Sequence, residues 1–321
     1  MVVDLAQIAG GLVVLLIAGD LLVRGAASLA LRLGIPAMMV GMTVVAFGTS
    51  APELVVSVKA VWIGAGGLAL GNVVGSNIAN ILLVLGLPAL IAPLAIDPGL
   101  RRDMVIMLAA TVLFLALAAT GGFGVWQAVV LLAALGLMLG DNLRRARAIR
   151  AGNGRIAAPP VPEDASPEMP GWKLAGFLGA GLVGLPIGAE LLVLGAVDVA
   201  AALGVSDAVI GLTVVALGTS LPELAATLLA ALRRETGVAL GNVIGSNVFN
   251  LLGIVGVAAL VGPIAVPVEL MRFDLWVMAA ASLALLPFVW RGRAITRGAG
   301  LALSLAYLSY IAVLGAGAGG T

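Results

Sequence analysis

Two glutamates sit where a bilayer-spanning chain should not tolerate them. Glu53 closes the stretch GMTVVAFGTSAPE, Gly41 to Glu53, and Glu223 closes its second copy GLTVVALGTSLPE, Gly211 to Glu223. Both runs are otherwise apolar, and an ionisable group inside such a run is costly enough to point to function by default. Pro52 has no N–H to offer the Gly48 carbonyl, and Pro222 none for Gly218. Both helices are therefore expected to break where Thr49, Ser50, Thr219 and Ser220 stand. Freed carbonyls, hydroxyls and a carboxylate then share one spot. That outlines a cation site, and outlines it twice.

The elements that must hold these groups are membrane helices. Of 321 residues 62% are hydrophobic and 10% charged, with mean hydropathy +1.19, whereas soluble domains carry about a quarter charged residues. Apolar runs of about 20 residues suffice to span a bilayer. Ten are expected, at roughly 5–31, 37–64, 68–93, 102–120, 124–141, 172–203, 208–231, 237–261, 272–290 and 297–316. The first is too long and too continuously apolar for a cleaved signal peptide and reads as a mature helix. The fold class is thus an all-α polytopic membrane protein.

Composition excludes much. With no Cys and no His, disulfides, thiolate or imidazole metal sites and Ser-His or Cys-His catalysis are out of reach. A metal would have to be held by oxygen alone, which favours Ca²⁺, Mg²⁺ or Na⁺ over zinc or copper. No phosphate-binding loop and no aromatic-basic patch for nucleic acid is present. The reading is not an enzyme, has no cofactor, and has the lipid bilayer as its surroundings, with no protein partner evident.

Charge placement gives an orientation. Odd-numbered connections hold fifteen basic residues, among them Arg24, Arg32, Arg101, Arg102, Arg144, Arg145, Arg233, Arg234 and Arg291; even-numbered ones hold Lys59 and Arg272 only. Odd connections are expected in the cytoplasm and both termini outside, in a cell membrane. The chain divides into a first half, 1–141, a cytoplasmic linker, 142–171, rich in Pro, Ser and charge, and a second half, 172–321. At an offset of 170, segments 41–80 and 211–250 are identical at 22 of 40 positions without a gap. Halves of five helices each must enter the membrane in opposite senses, and inverted repeats with a site at their interface are a signature of secondary transporters.

Segments 3 and 8 carry GNVVGSNIAN, Gly71 to Asn80, and GNVIGSNVFN, Gly241 to Asn250. On a helix Asn72, Ser76 and Asn80 fall along one stripe, as do Asn242, Ser246 and Asn250. Gly71 and Gly75, like Gly241 and Gly245, have the small-xxx-small spacing that admits a close neighbour. These helices are expected to line the site opened by the broken pair. Asn72 and Asn242 are read rather as links between helices.

Together, G-T-S-x-P-E and G-N-x-x-G-S-N-x-x-N, each present in both halves, resemble the two alpha-repeats of the sodium/calcium exchanger family. The resemblance covers the whole transmembrane chain and implies ten helices in two inverted repeats, with helices 2 and 7 broken. It implies Ca²⁺ and Na⁺ as alternately bound substrates of Glu53 and Glu223. It extends the ligand set to Thr49, Ser50, Ser76 and Asn80 in the first repeat, to Thr219, Ser220, Ser246 and Asn250 in the second, and to the backbone carbonyls of Ala46 and Ala216. Some relatives, including potassium-dependent exchangers, have Asp where this chain has Asn250, which argues against a potassium requirement.

The expected activity is electrogenic Na⁺/Ca²⁺ antiport by alternating access. Proton/calcium exchange is the alternative, because two buried carboxylates can also carry protons, although those relatives tend to have His nearby. An intramembrane aspartyl protease is a distant alternative, since it uses Asp rather than this Glu motif, and a passive channel suits an inverted repeat poorly. Segments 1 and 6, long and poor in site-type side chains, are assigned the gate by resemblance. Asp20 and Arg24, spaced i, i+4, are read as an interfacial ion pair. Glu190 faces Leu194 at that spacing and is expected near the outer surface, away from the ion route.

Overall fold

Apolar runs in a bilayer fold as helices because every backbone N–H and C=O must find its partner within the segment. The computed structural model of the chain describes residues 2–97, 99–151, 167–202 and 218–318. The first half contains α1 (Val2–Leu33), then α2 (Ala37–Val40), a π turn (Gly41–Val45), α3 (Ala46–Thr49) and α4 (Ala51–Trp62). There follow α5 (Gly66–Ala79), a π turn (Asn80–Val84), α6 (Gly86–Ile91), α7 (Leu100–Ala118) and α8 (Val125–Arg150). The second half contains α9 (Gly171–Ala202), α10 (Leu221–Leu232), α11 (Thr236–Val248), a π turn (Phe249–Ile254) and α12 (Val255–Val261). A π turn (Leu270–Asp274), α13 (Leu275–Ala284), α14 (Leu286–Arg291) and α15 (Arg297–Ala318) complete it.

Among the described residues seven helical stretches are long and apolar enough to cross a membrane, or eight when Ala37–Thr49 and Ala51–Trp62, bent by 45°, count as one. Of the other two expected runs, 102–120 is α7, whose first turn carries Arg101, Arg102 and Asp103, and 208–231 is described only from Gly218. The first residues of the expected 142–171 linker are helical, because α8 continues to Arg150. Its basic end is held against α7 by Arg145 to Asp103 at 3.1 Å and by the pair Arg102–Asp141. Residues 152–166 of that linker lie outside the described residues.

α1 and α9 pack antiparallel along their length through small residues. A Cβ at Gly11 would stand 2.6 Å from the Leu192 nitrogen, and one at Gly188 2.9 Å from that of Leu15. Only glycine allows two backbones so close. α5 and α11, both heavily buried, form the centre, and Gly241 and Gly245 of α11 meet the backbone of Met38 and Met42. The segment that the repeat would set against Gly71 and Gly75 lies outside the described residues.

Two short ladders tie the halves together. Gly122–Phe123 pairs antiparallel with Ile264–Ala265, and Leu94 bridges Ile295. Leu94 and Ile264 are repeat equivalents at the offset of 170, so the ladders lie beyond opposite ends of α7 and α13. Each joins connections of the same parity, odd with odd and even with even.

Candidate cation site

Where the first broken helix is interrupted, Ser50 leaves the helical region with φ −86° and ψ 5°; Ser220 does the same with φ −90° and ψ 1°. These dihedrals lie in the sparsely populated bridge region, where site residues often stand. Pro52 and Pro222 then occupy the first turn of α4 and α10, the part of a helix that needs no proline N–H. Glu53 and Glu223 follow in the same turns. Each carboxylate therefore sits at the positive end of a half-helix. They are 1% and 0% exposed.

Side chains from opposite halves bind one another here. The Ser50 hydroxyl donates to Glu223 Oε1 at 3.0 Å, and the Thr49 hydroxyl to Asn242 Oδ1 at 3.2 Å. The π turn holding Asn80 packs on α10, which bears Glu223, while the π turn holding Asn250 packs on α4, which bears Glu53. Each repeat thus closes the other's site.

Asn72 and Asn242 brace the glutamate turns, as expected of helix links. Asn72 Nδ2 donates to Ser57 Oγ at 3.0 Å and to the Glu53 carbonyl at 3.4 Å. Asn242 Nδ2 reaches Thr227 Oγ1 at 3.1 Å and the Glu223 carbonyl at 3.5 Å. The two sets match residue for residue at an offset of 170. Pseudo-symmetry in sequence is here pseudo-symmetry in contacts.

Around the glutamates several buried polar atoms have no hydrogen-bond partner among the described residues: both carboxylate oxygens of Glu53, Oε2 of Glu223, the hydroxyls of Ser220 and Ser246, Oδ1 of Asn80 and both amide atoms of Asn250. A buried polar atom left unpaired costs about 1–3 kcal/mol, more when charged. So many oxygens orphaned together make sense if a cation satisfies them, and Ca²⁺ takes 6–8 oxygens. Ser76 is buried on α5, one turn before Asn80. Ala46 is buried, and its carbonyl accepts the Ser50 N–H at 3.0 Å and the Thr49 hydroxyl at 3.4 Å. Thr219 is partly exposed and lines a neighbouring cavity. Ala216 lies outside the described residues.

Two asparagines of the second motif went unassigned from sequence. Asn77 Nδ2 lies 3.8 Å from Met278 Sδ, and Asn247 Nδ2 lies 3.8 Å from Met107 Sδ. Asn247 Oδ1 also accepts from Asn80 Nδ2 at 3.1 Å, orienting that side chain. Their recurrence at Asn77 and Asn247, one offset apart, was the available signal.

Carboxylates at two half-helix starts, facing one enclosed set of oxygens in a multi-pass helical protein, define a membrane cation antiporter. A family profile described as sodium/calcium exchanger protein matches residues 3–140 and 173–315. Sodium/calcium exchanger MaX1 of Methanosarcina acetivorans is 35% identical over 95% of this chain and 96% of its own. Inner membrane protein YrbG of Escherichia coli is 34% identical, over 95% and 94%. A solved structure of the sodium-calcium exchanger NCX_Mj superposes with TM-score 0.81 at 34% identity, covering 97% of this chain and 98% of that one. The chain belongs to the sodium/calcium exchanger family.

Proposed function

We propose that the protein exchanges Na⁺ for Ca²⁺ by alternating access, electrogenically and without potassium. It does so as ten spans in two inverted five-helix repeats in the cell membrane, with both termini outside and the 142–171 linker in the cytoplasm. The observation that carries this reading is the set of orphaned oxygens around Glu53 and Glu223. The matched parity of the two ladders supports the alternating topology.

Two carboxylates give the empty site a formal charge of −2, which is costly to enclose in a low dielectric. One Ca²⁺ neutralises it; so do two Na⁺, and a third makes the transfer of charge unequal between the two loads. An unloaded site does not switch sides, which couples the two fluxes. Mixed carboxylate, hydroxyl and amide oxygens at irregular angles suit Ca²⁺ better than Mg²⁺, which demands an octahedron and holds its water. Thr49, Ser50, Ser76 and Asn80 with Thr219, Ser220, Ser246, Asn250 and the carbonyls of Ala46 and Ala216 complete the ligand set. α1 and α9, joined by their glycine seam, move as the gate.

The test is uptake of radioactive calcium into proteoliposomes loaded with Na⁺. An outward Na⁺ gradient should drive uptake and an interior-positive potential generated by valinomycin should change its rate. Uptake driven by a pH gradient with no Na⁺ present would replace this reading with proton/calcium exchange.

A further inference from the structure

Asp20 of α1 and Glu190 of α9 are repeat equivalents, yet their surroundings differ. Asp20 pairs with Arg24 at 2.9 Å and with Arg233 beyond the end of α10. One residue before it, a Cβ at Gly19 would touch the Ala225 carbonyl at 3.4 Å. α1 is therefore seated against α10 on that side. At the positions equivalent to Arg24 and Arg233, the other side has Leu194 and Ile63. Glu190 has no hydrogen bond or ion pair among the described residues, and it is exposed.

What Glu190 does face is a cavity of about 580 Å³. Its walls include Pro52 and Pro222, the prolines of both helix breaks, with Thr219 beside them and Val55 and Val193 otherwise. Glu190 is the sole charged residue among the described lining residues.

We propose that Glu190 is the capture residue for cations approaching the site, drawing them into the cavity and passing them across Thr219 to the two glutamates. The inference rests on the exchanger reading above. A single negative charge in a cleft with apolar walls concentrates field lines and raises the local cation concentration and on-rate. The effect is larger for a divalent ion and weakens as salt screens it. Asp20 does no such work because its charge is spent on two arginines, so capture operates on the α9 side only, which the charge asymmetry assigns to the outside.

The test pairs a kinetic and an access measurement. Glu190→Gln should raise the half-saturating outside Ca²⁺ about three- to tenfold at low salt with the maximal rate unchanged, and the difference should shrink as ionic strength rises. Glu190→Asp should keep wild-type behaviour. Because the chain has no cysteine, Glu190→Cys supplies a single thiol. A membrane-impermeant cationic methanethiosulfonate should label it from outside, and Asp20→Cys should not react from that face. Half-saturation in Glu190→Gln equal to wild type would overturn the proposal. So would a salt-independent change, or a Glu190→Cys thiol unreactive from both faces, as in a lipid-filled cleft. Labelling does not depend on transport, so a failure of Na⁺/Ca²⁺ exchange in the unmodified protein is distinguishable from a failure of this inference.

Discussion

The hydroxyl of Ser50, in the first repeat, donates a 3.0 Å hydrogen bond to the carboxylate of Glu223, in the second. Both groups are fully buried. A bond to a charged group contributes about 1.5–3 kcal/mol, and about 1.4 kcal/mol is a tenfold change in affinity. Ser50→Ala should therefore raise the half-saturating Ca²⁺ at least tenfold in proteoliposome uptake, while Ser50→Thr, which keeps the oxygen, should stay near wild type.

Asn242 ties Thr49, Thr227 and the Glu223 carbonyl together at 0% exposure. Truncating it leaves two buried hydroxyls short of a partner. Links of this kind in membrane bundles are worth about 1–2 kcal/mol. Asn242→Ala should lower unfolding stability in mixed micelles by about that amount, and by more than Asn72→Ala, whose site is only partly buried.

Arg234 follows α10 with φ +61°, a left-handed conformation that costs an ordinary residue about 1–2 kcal/mol. Its repeat equivalent after α4 is Gly64, with φ +80°. The turn is the same in both halves, and only one has the residue suited to it. Arg234→Gly should stabilise the protein by about 0.5–1 kcal/mol, part of the relief being offset by glycine's greater freedom when unfolded. Thermal unfolding in detergent is the check.

Glu235, in the connection between α10 and α11, has its carboxyl pushed by burial from 4.5 up to about 7. The folded state then binds the proton more tightly than the unfolded chain, so stability is fully present below pH 4.5 and declines as pH rises through about 7. Glu235→Gln should match wild type at pH 4 and be the more stable of the two at pH 8. Denaturant titrations at the two pH values give the comparison.

Much of the site was legible because its parts are rare in apolar sequence. A Pro beside a Glu predicts a break with a carboxylate, and the 170-residue offset predicts that Asn72 and Asn242 do the same work. The π turns were not legible: NILLV and FNLLGI read as ordinary apolar helix, and nothing local marks the turns that pack on α10 and α4. Likewise the helical end of α8 read as linker because its basic character gives no hint of the Asp103 that pairs with Arg145. The cavity beside Glu190 was not legible because i, i+4 spacing tests only its own helix, whereas α4 and α10 supply the opposite walls. The pairing of Asp20 with Arg233, 213 residues apart, has no local trace either.

The central claim is that Glu53 and Glu223 hold one cation between them. Diffraction from crystals grown with Ca²⁺ and no Na⁺, recorded at a wavelength where calcium scatters anomalously, tests it directly. The account predicts an anomalous peak at coordination distance, about 2.3–2.6 Å, from oxygens of both glutamates, lost in Glu53→Gln with Glu223→Gln. A calcium peak bound elsewhere in the membrane region, with none between these carboxylates, would contradict it.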